Sequence, residues 1–459
     1  MRRMAPALLA ASLGLFSLSS VAQELIQVAP ARGSVDRLVR DVFSADLAKR
    51  GEALAALEQR GELDVVPGLI QSLRFLRSDG ATIGATLDAL TGETMGGDWT
   101  AWMLWQEAHP EIEPHEGFDG FKADVMASVD PNFRVFLWPG VPHEIRLEEI
   151  TWGGVVKDGI PALTNPRFTT PEEATYLGED ELVFGVEING DARAYPLRIM
   201  DWHEMFNDVV GGVPLSLAYC TLCGSGILYE TTIEDWPVPL VFGSSGFLYR
   251  SNKLMYDTAT HSLWNQFTGR PVVGKLTGSG IELKARPVLI TTWGDWLKRH
   301  RATKVLTINT GYKRDYRPGR PYGEYFASDN LMFPALVPEP NLAPKDFVFA
   351  LRLEGHEKAW PLTAFEGGQV INDEVAGLDV VLVGDARTRT VRAYRADGRD
   401  FAPADGLDRL RSDGQEWQVR EDALAARDGT VLERLPGHVA YWFAWSNFKT
   451  GSPLFSADE

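Results

Sequence analysis

The sequence predicts an α+β protein: a small helical, helical-repeat-like N-terminal domain followed by two duplicated, mainly β modules. Three observations carry this. Leucines and isoleucines recur at three- and four-residue spacing up to about residue 125. Beyond Pro131 that periodicity gives way to glycine, proline, aromatics and alternating β-branched residues. The later part also matches itself when slid along its own length. The expected divisions are a signal peptide at 1–22, a helical domain at 23–130, module one at 131–318 and module two at 319–459.

The chain opens Met1-Arg2-Arg3, continues apolar from Ala5 to Leu18, and reaches the small residues Ser20-Val21-Ala22, the pattern of a cleaved signal peptide. The expectation is an exported protein, periplasmic or extracellular, with no membrane span. No later stretch approaches roughly 18 uninterrupted apolar residues. Asp and Glu total 63 against 45 Lys and Arg, a net charge of −18, with no basic run, which excludes a phosphate-tracking nucleic-acid surface. At 459 residues the chain is long enough for two or three domains with their own cores. It has only 2 cysteines, so disulfide stapling is not its general means of stability.

In the helical region, Leu47, Leu54 and Leu57, then Val65, Leu69, Ile70 and Leu73, then Ile83, Leu87 and Leu90 mark successive apolar faces, broken at 61–67 and 78–81. Trp99, Trp102 and Trp105 share one helical face, either core or the docking surface for a protein partner.

The self-match pairs the segment Val183 to Leu197 with Val348 to Leu362, each an alternating hairpin with a glycine turn and a closing proline. Asn207-Asp208 falls on Asn372-Asp373, Gly212 on Gly377, and Trp293 and Trp296 on Trp442 and Trp445. Module two has Gly368-Gln369 where module one has His203-Glu204. The best local match sets Asp257 to Ser262 against Asp385 to Thr390. It makes module two skip the cysteine segment and puts Arg389 opposite His261. The chemistry is therefore expected in module one.

Both cysteines lie in Tyr219-Cys220-Thr221-Leu222-Cys223-Gly224-Ser225-Gly226, downstream of Asp201-Trp202-His203-Glu204. A redox motif at a helix N-terminus would not be followed by two glycines, whereas strand, CxxC, glycine, strand is the form of a metal knuckle. The leading expectation is a copper or zinc site on Cys220, Cys223 and His203, with Glu204 or His261 completing the shell, serving redox or metal-dependent catalysis. Two alternatives stand beside it: a periplasmic thiol-disulfide protein using the pair, and a partner-binding module in which the cysteines clip a turn. Met255 is a soft ligand better read as core, and Asp257, Trp264 and Gln266 either line the same pocket or serve turn and core. Phe242-Gly243-Ser244-Ser245-Gly246-Phe247-Leu248-Tyr249 has the small residues of an anion nest but no following Lys or helix start, which favours a tight β-turn.

Trp202-His203-Glu204, Asn207-Asp208, Tyr219 to Gly226, Phe242 to Tyr249, Ser251-Asn252, Met255-Tyr256-Asp257 and Ser262 to Gln266 together resemble the exported bacterial and archaeal family catalogued as domain of unknown function 3179. The likeness spans roughly 140–450 and implies an extracytoplasmic setting and a recurring Cys-x-x-Cys-Gly, without a reaction. Thr221 stands where a proline is often expected in that family.

Overall fold

The computed structural model describes residues 34–337 and 342–456. The expected signal peptide, residues 1–22, lies outside them. The described residues fall into two compact units, one within 34–102 and 109–131 and the other within 103–108 and 132–456. The class is mixed α+β with an N-terminal helical region, as expected.

The first unit is built from short helices. The Asp46 carboxylate caps Leu47–Arg60, accepting from the Ala48 amide at 2.9 Å, and Gly61 ends it at φ 70°. The periodic residues Leu54, Leu57, Leu69, Ile70, Leu73, Ile83 and Leu87 are buried. Leu47 is exposed, because it is the first helical residue and precedes the turn that meets the core. Trp102 is fully buried, with its indole N–H on the Gly96 carbonyl at 2.8 Å, and Trp99 carries the Arg74 guanidinium 4.5 Å from its ring centroid. Trp102 is thus a core residue. Gly84 faces the Gly96 backbone so closely that a Cβ would sit 2.1 Å from its carbonyl carbon.

The second unit is sheet-rich. Leu182–Ile188 pairs antiparallel with Asp191–Pro196 across Asn189 (φ 51°) and Gly190 (φ 81°). Phe347–Leu353 pairs likewise with His356–Pro361 across Glu354 (φ 54°) and Gly355 (φ 85°). After the first hairpin, Met205–Val210, Val213–Cys220 and Ser225–Glu230 form a meander; after the second, Gln369–Val375, Leu378–Asp385 and Thr390–Arg395 do so.

Side-chain contacts recur between the two halves. Asn207 exchanges two hydrogen bonds with the Phe242 backbone, at 2.9 and 2.8 Å, and Asn372 exchanges the same two with Phe401, at 2.9 and 2.8 Å. Asp208 holds Arg193 and Tyr195, and Asp373 holds Lys358 and Trp360. Trp296 donates to Thr303, and Trp445 to Ser452.

This register corrects the expected alignment around the cysteines. Leu215 faces Glu230 and Cys220 faces Ser225 in the first meander; Val380 faces Arg395 and Asp385 faces Thr390 in the second. By register, the turn 385–390 takes the place in its meander that 220–225 takes in the first. Asp385 and Thr388 stand where Cys220 and Cys223 do, and Arg389 (φ 55°) where Gly224 (φ 60°) does.

Alternation along Val213–Cys220 splits its side chains between two cores. Leu215, Leu217 and Tyr219 pack with Phe184 and, from the second half, Phe349, Trp360 and Leu382. Ala218 and Cys220 pack with Cys223, Met255, Trp264 and, from the second half, Trp442 and Trp445. With both faces covered, the strand reads as a nearly continuous buried run. Phe242 to Tyr249, expected as a turn, is a buried strand: Gly243 lies where a Cβ would be 2.6 Å from the Tyr256 ring, so its small residues serve close packing. Among the described residues, no helix is long and apolar enough to cross a membrane.

Candidate functional site

The site grows from the end of the helix Leu197–His203. Glu204 follows it at φ 54°, a left-handed position that a residue with a Cβ enters at a cost of about 1 kcal/mol or more, and its amide caps the Met200 carbonyl at 2.7 Å. That geometry turns the Glu204 carboxylate onto two buried partners, the Thr221 hydroxyl at 3.1 Å and the Lys253 ammonium. Lys253 also donates to Ser244 at 3.0 Å. A charge pair this shielded is stable only while complete, since removing one partner leaves the other as a buried, uncompensated ion.

Asp201, one turn earlier, accepts from the Tyr219 hydroxyl at 3.1 Å. Burial pushes its carboxyl up to about 8, with Glu204 adding to the rise and Tyr219 and Arg389 opposing it, so Asp201 is largely protonated at neutral pH.

Cys220 ends its strand and Cys223 lies within the turn; the two are joined as a disulfide. Gln266 clamps the strands that flank them, its amide N–H groups on the Ala218 and Ser225 carbonyls at 2.8 and 2.9 Å. Asn252 donates to Gln266 at 3.1 Å and to Cys223 Sγ at 3.5 Å, and the Ser251 carbonyl lies 3.3 Å from the same sulfur. Arg250 and Ser251 form the hairpin turn that presents these groups, both at positive φ, 47° and 61°. The Cys223 carbonyl accepts from the Tyr441 amide at 2.8 Å, fixing the turn to the second half.

The expected metal centre is not built. Among the described residues no three His, Cys, Asp or Glu side chains converge in a way that could hold an ion. The sulfurs are spent on each other. His203 has both ring nitrogens engaged, Nδ1 with the Pro161 carbonyl at 2.8 Å and Nε2 with the Tyr316 hydroxyl at 2.6 Å, and burial lowers its pKa to about 4. Glu204 is committed to Lys253. His261 stacks on Tyr256 in the turn beyond Asp257. It thereby lies beyond the far end of the strand Asn252–Asp257, about 17 Å of extended chain from Asn252, the residue that contacts Cys223. This geometry contradicts the expected copper or zinc site on Cys220, Cys223, His203, His261 and Glu204. Met255 and Trp264 are core, and Asp257 organises its own turn, bonding Thr260 and the Trp264 indole N–H.

The family model described as protein of unknown function (DUF3179) matches residues 157–452. The chain belongs to the DUF3179 family. No curated protein and no solved structure matches it. The part of this DUF3179 chain that matches contains the disulfide turn, every side chain placed around it above, and the second half that carries Arg389 and Tyr441. Sequence reasoning missed Asn252, Lys253 and Arg389 as members of the site. Lys253 carried a signal: a lysine directly before the apolar run Leu254-Met255-Tyr256 of a strand, once buried with it, needs a counter-charge. Arg389 carried none, since only the tertiary fold returns the second half to the first.

Proposed function

We propose that this protein is an exported thiol-disulfide protein whose Cys220–Cys223 pair cycles between disulfide and dithiol, on the first of two duplicated β modules whose second copy kept the scaffold and lost the pair. The recurrent Asn, Asp and Trp contacts support the duplication. The observation that carries the redox reading is the environment of Cys223. A disulfide sulfur has no proton to give, so the Ser251 carbonyl at 3.3 Å becomes a hydrogen-bond acceptor only for the reduced thiol. Asn252 Nδ2, at 3.5 Å, is placed to donate to the same sulfur as a thiolate. A bond between cysteines separated by 3 positions closes too small a ring to remove much chain entropy, which makes it a poor staple.

Cys220 is 4% exposed and Cys223 0%, which makes Cys220 the sulfur to be attacked. A substrate thiolate bonds to Cys220 Sγ; the S–S bond breaks and its electron pair leaves on Cys223 Sγ, which takes up a proton. A second substrate thiolate then attacks the substrate sulfur of the mixed disulfide, releasing Cys220 to be protonated. Two thiols become one disulfide while the pair gains two electrons and two protons. In Cys223→Ser, the Cys220 thiol is expected to form a mixed disulfide with a small aromatic disulfide about 10-fold faster than Cys223 does in Cys220→Ser. Equal, slow labelling of both variants in the native state refutes the assignment.

A structural clip is the second reading, favoured by the near-complete burial of both sulfurs and by the Tyr441 amide on the Cys223 carbonyl. In that case the pair resists thiols until the chain is denatured.

A further inference from the structure

Arg389 occupies the position in the second meander that Gly224 holds in the first, and it does so at φ 55°, where glycine is the unstrained choice. Its guanidinium lies 4.1 Å from the Phe347 ring centroid, and Phe347 stacks on Tyr441 with centroids 4.4 Å apart. These two rings are the atoms a Cβ on Gly224 would meet, at 2.9 and 3.1 Å. The guanidinium is thus one aromatic ring away from the residue that follows Cys223. Among the described residues it makes no hydrogen bond and no ion pair, and the Tyr441 hydroxyl likewise makes no hydrogen bond. Desolvation lowers the Arg389 pKa, a second cost on top of the strained backbone. Stacking on Phe347 offsets part of this and leaves the fork of N–H donors unused. Asp201 is the nearby carboxyl that would ordinarily answer it, but it is held largely protonated at neutral pH.

We propose that Arg389, with Tyr441, forms a carboxylate-binding site beside the cysteine turn, and that the substrate of the pair is a small thiol or disulfide bearing a carboxylate. The planar guanidinium fits a carboxylate through two parallel hydrogen bonds, which fixes the orientation of the sulfur-bearing end. The anion site stands on the geometry alone; the identity of its ligand as a thiol rests on the redox reading above.

The two parts are tested separately on the full oxidised chain. Calorimetric titration with propionate, propionamide and inorganic phosphate is run on wild type, Arg389→Gln and Arg389→Lys, with circular dichroism confirming that each is folded. Propionate is expected to bind wild type, propionamide not to, and Arg389→Gln to lose about 10-fold or more in affinity, with Arg389→Lys between. Absence of propionate binding, or equal binding to Arg389→Gln, overturns the site; phosphate binding as tightly as propionate overturns the carboxylate assignment. Reduction by 3-mercaptopropionate and by 2-mercaptoethanol is then compared, each rate normalised to that thiol's exchange with a free small disulfide. The expected preference for the carboxylate thiol is about 10-fold in wild type, falling towards unity in Arg389→Gln. Arg389-dependent propionate binding without reduction by either thiol keeps the anion site and refutes the redox reading. Reduction without preference keeps the redox reading and overturns the carboxylate-bearing thiol as the substrate of the pair.

Discussion

Replacing Asp201 by Asn preserves the side-chain shape and the acceptor for the Tyr219 hydroxyl, 3.1 Å away, while removing the proton that burial holds there. The folded-state pKa of Asp201 is raised from 3.8 to about 8. A raised pKa means that the native state keeps a proton the unfolded chain releases. The associated stability is therefore fully present below about pH 4 and declines as pH rises towards 8. The slope is about 1.36 kcal/mol per pH unit, so between about pH 5 and about pH 8 this one group accounts for at most about 4 kcal/mol. At the upper end of this window the folded chain's Asp201 is already partly ionised, which trims the change and gives an expected effect of about 2–4 kcal/mol, a sizeable share of a typical domain stability. The replacement amide does not titrate. Urea unfolding of the oxidised wild type and Asp201→Asn at both pH values measures the effect as a difference of differences, in which the other titrating groups cancel. The variant should gain on wild type by that amount on going to the higher pH. A gap that stays constant within about 0.5 kcal/mol would show that Asp201 is already ionised at the lower pH and refute its role as a buried proton store.

Other outcomes follow from the same geometry. Glu204→Gln leaves the Lys253 ammonium buried without its counter-charge and should cost about 3–5 kcal/mol in denaturant titration, much of it recovered in Glu204→Gln/Lys253→Met. His203 titrates with the opposite sign to Asp201: its pKa is lowered from 6.5 to about 4, so the stability it supplies is present above pH 6.5 and lost as pH falls. His203→Gln should accordingly flatten acid unfolding in that window, and an unchanged acid limb counts against it. Gly84→Ala drives a methyl into the Gly96 backbone and should lower the melting temperature of the helical unit, at a cost of about 2–4 kcal/mol. Asn252→Ala removes the donor to Cys223 Sγ and should slow reduction of the pair about 10-fold, read by stopped-flow with a small dithiol.

Much of the fold is visible in local pattern. The Asn189-Gly190 and Glu354-Gly355 turns announce their hairpins because the flanking strands need φ above zero there. The leucine spacing marks the helices because burial on one face has a period that sequence carries directly. What local pattern does not carry is which distant group answers a polar side chain. His203 looks like an available ligand until its partners are seen 42 and 113 residues away, at Pro161 and Tyr316. The glycines and serines of Phe242 to Tyr249 look like a turn, but small residues are equally what a strand needs when Tyr256 and other side chains press on it. The likeness of Asp385 to Asp257 was a shared turn residue, and only pairing register set Asp385 opposite Cys220. The cysteine pair stands out in the sequence, but whether its sulfurs meet further ligands or each other is a tertiary fact.

The central claim is that Cys220 and Cys223 exchange electrons in the folded protein. Equilibrating the native full chain with dithiothreitol redox buffers, trapping free thiols with a mass-tagged alkylating agent and counting them tests it directly. The account predicts a reversible two-electron transition at a potential above about −300 mV, with far-ultraviolet circular dichroism unchanged between the two forms. A pair that stays oxidised at every potential until the chain unfolds, or whose reduction unfolds it, would contradict the account and leave the bond as a structural clip.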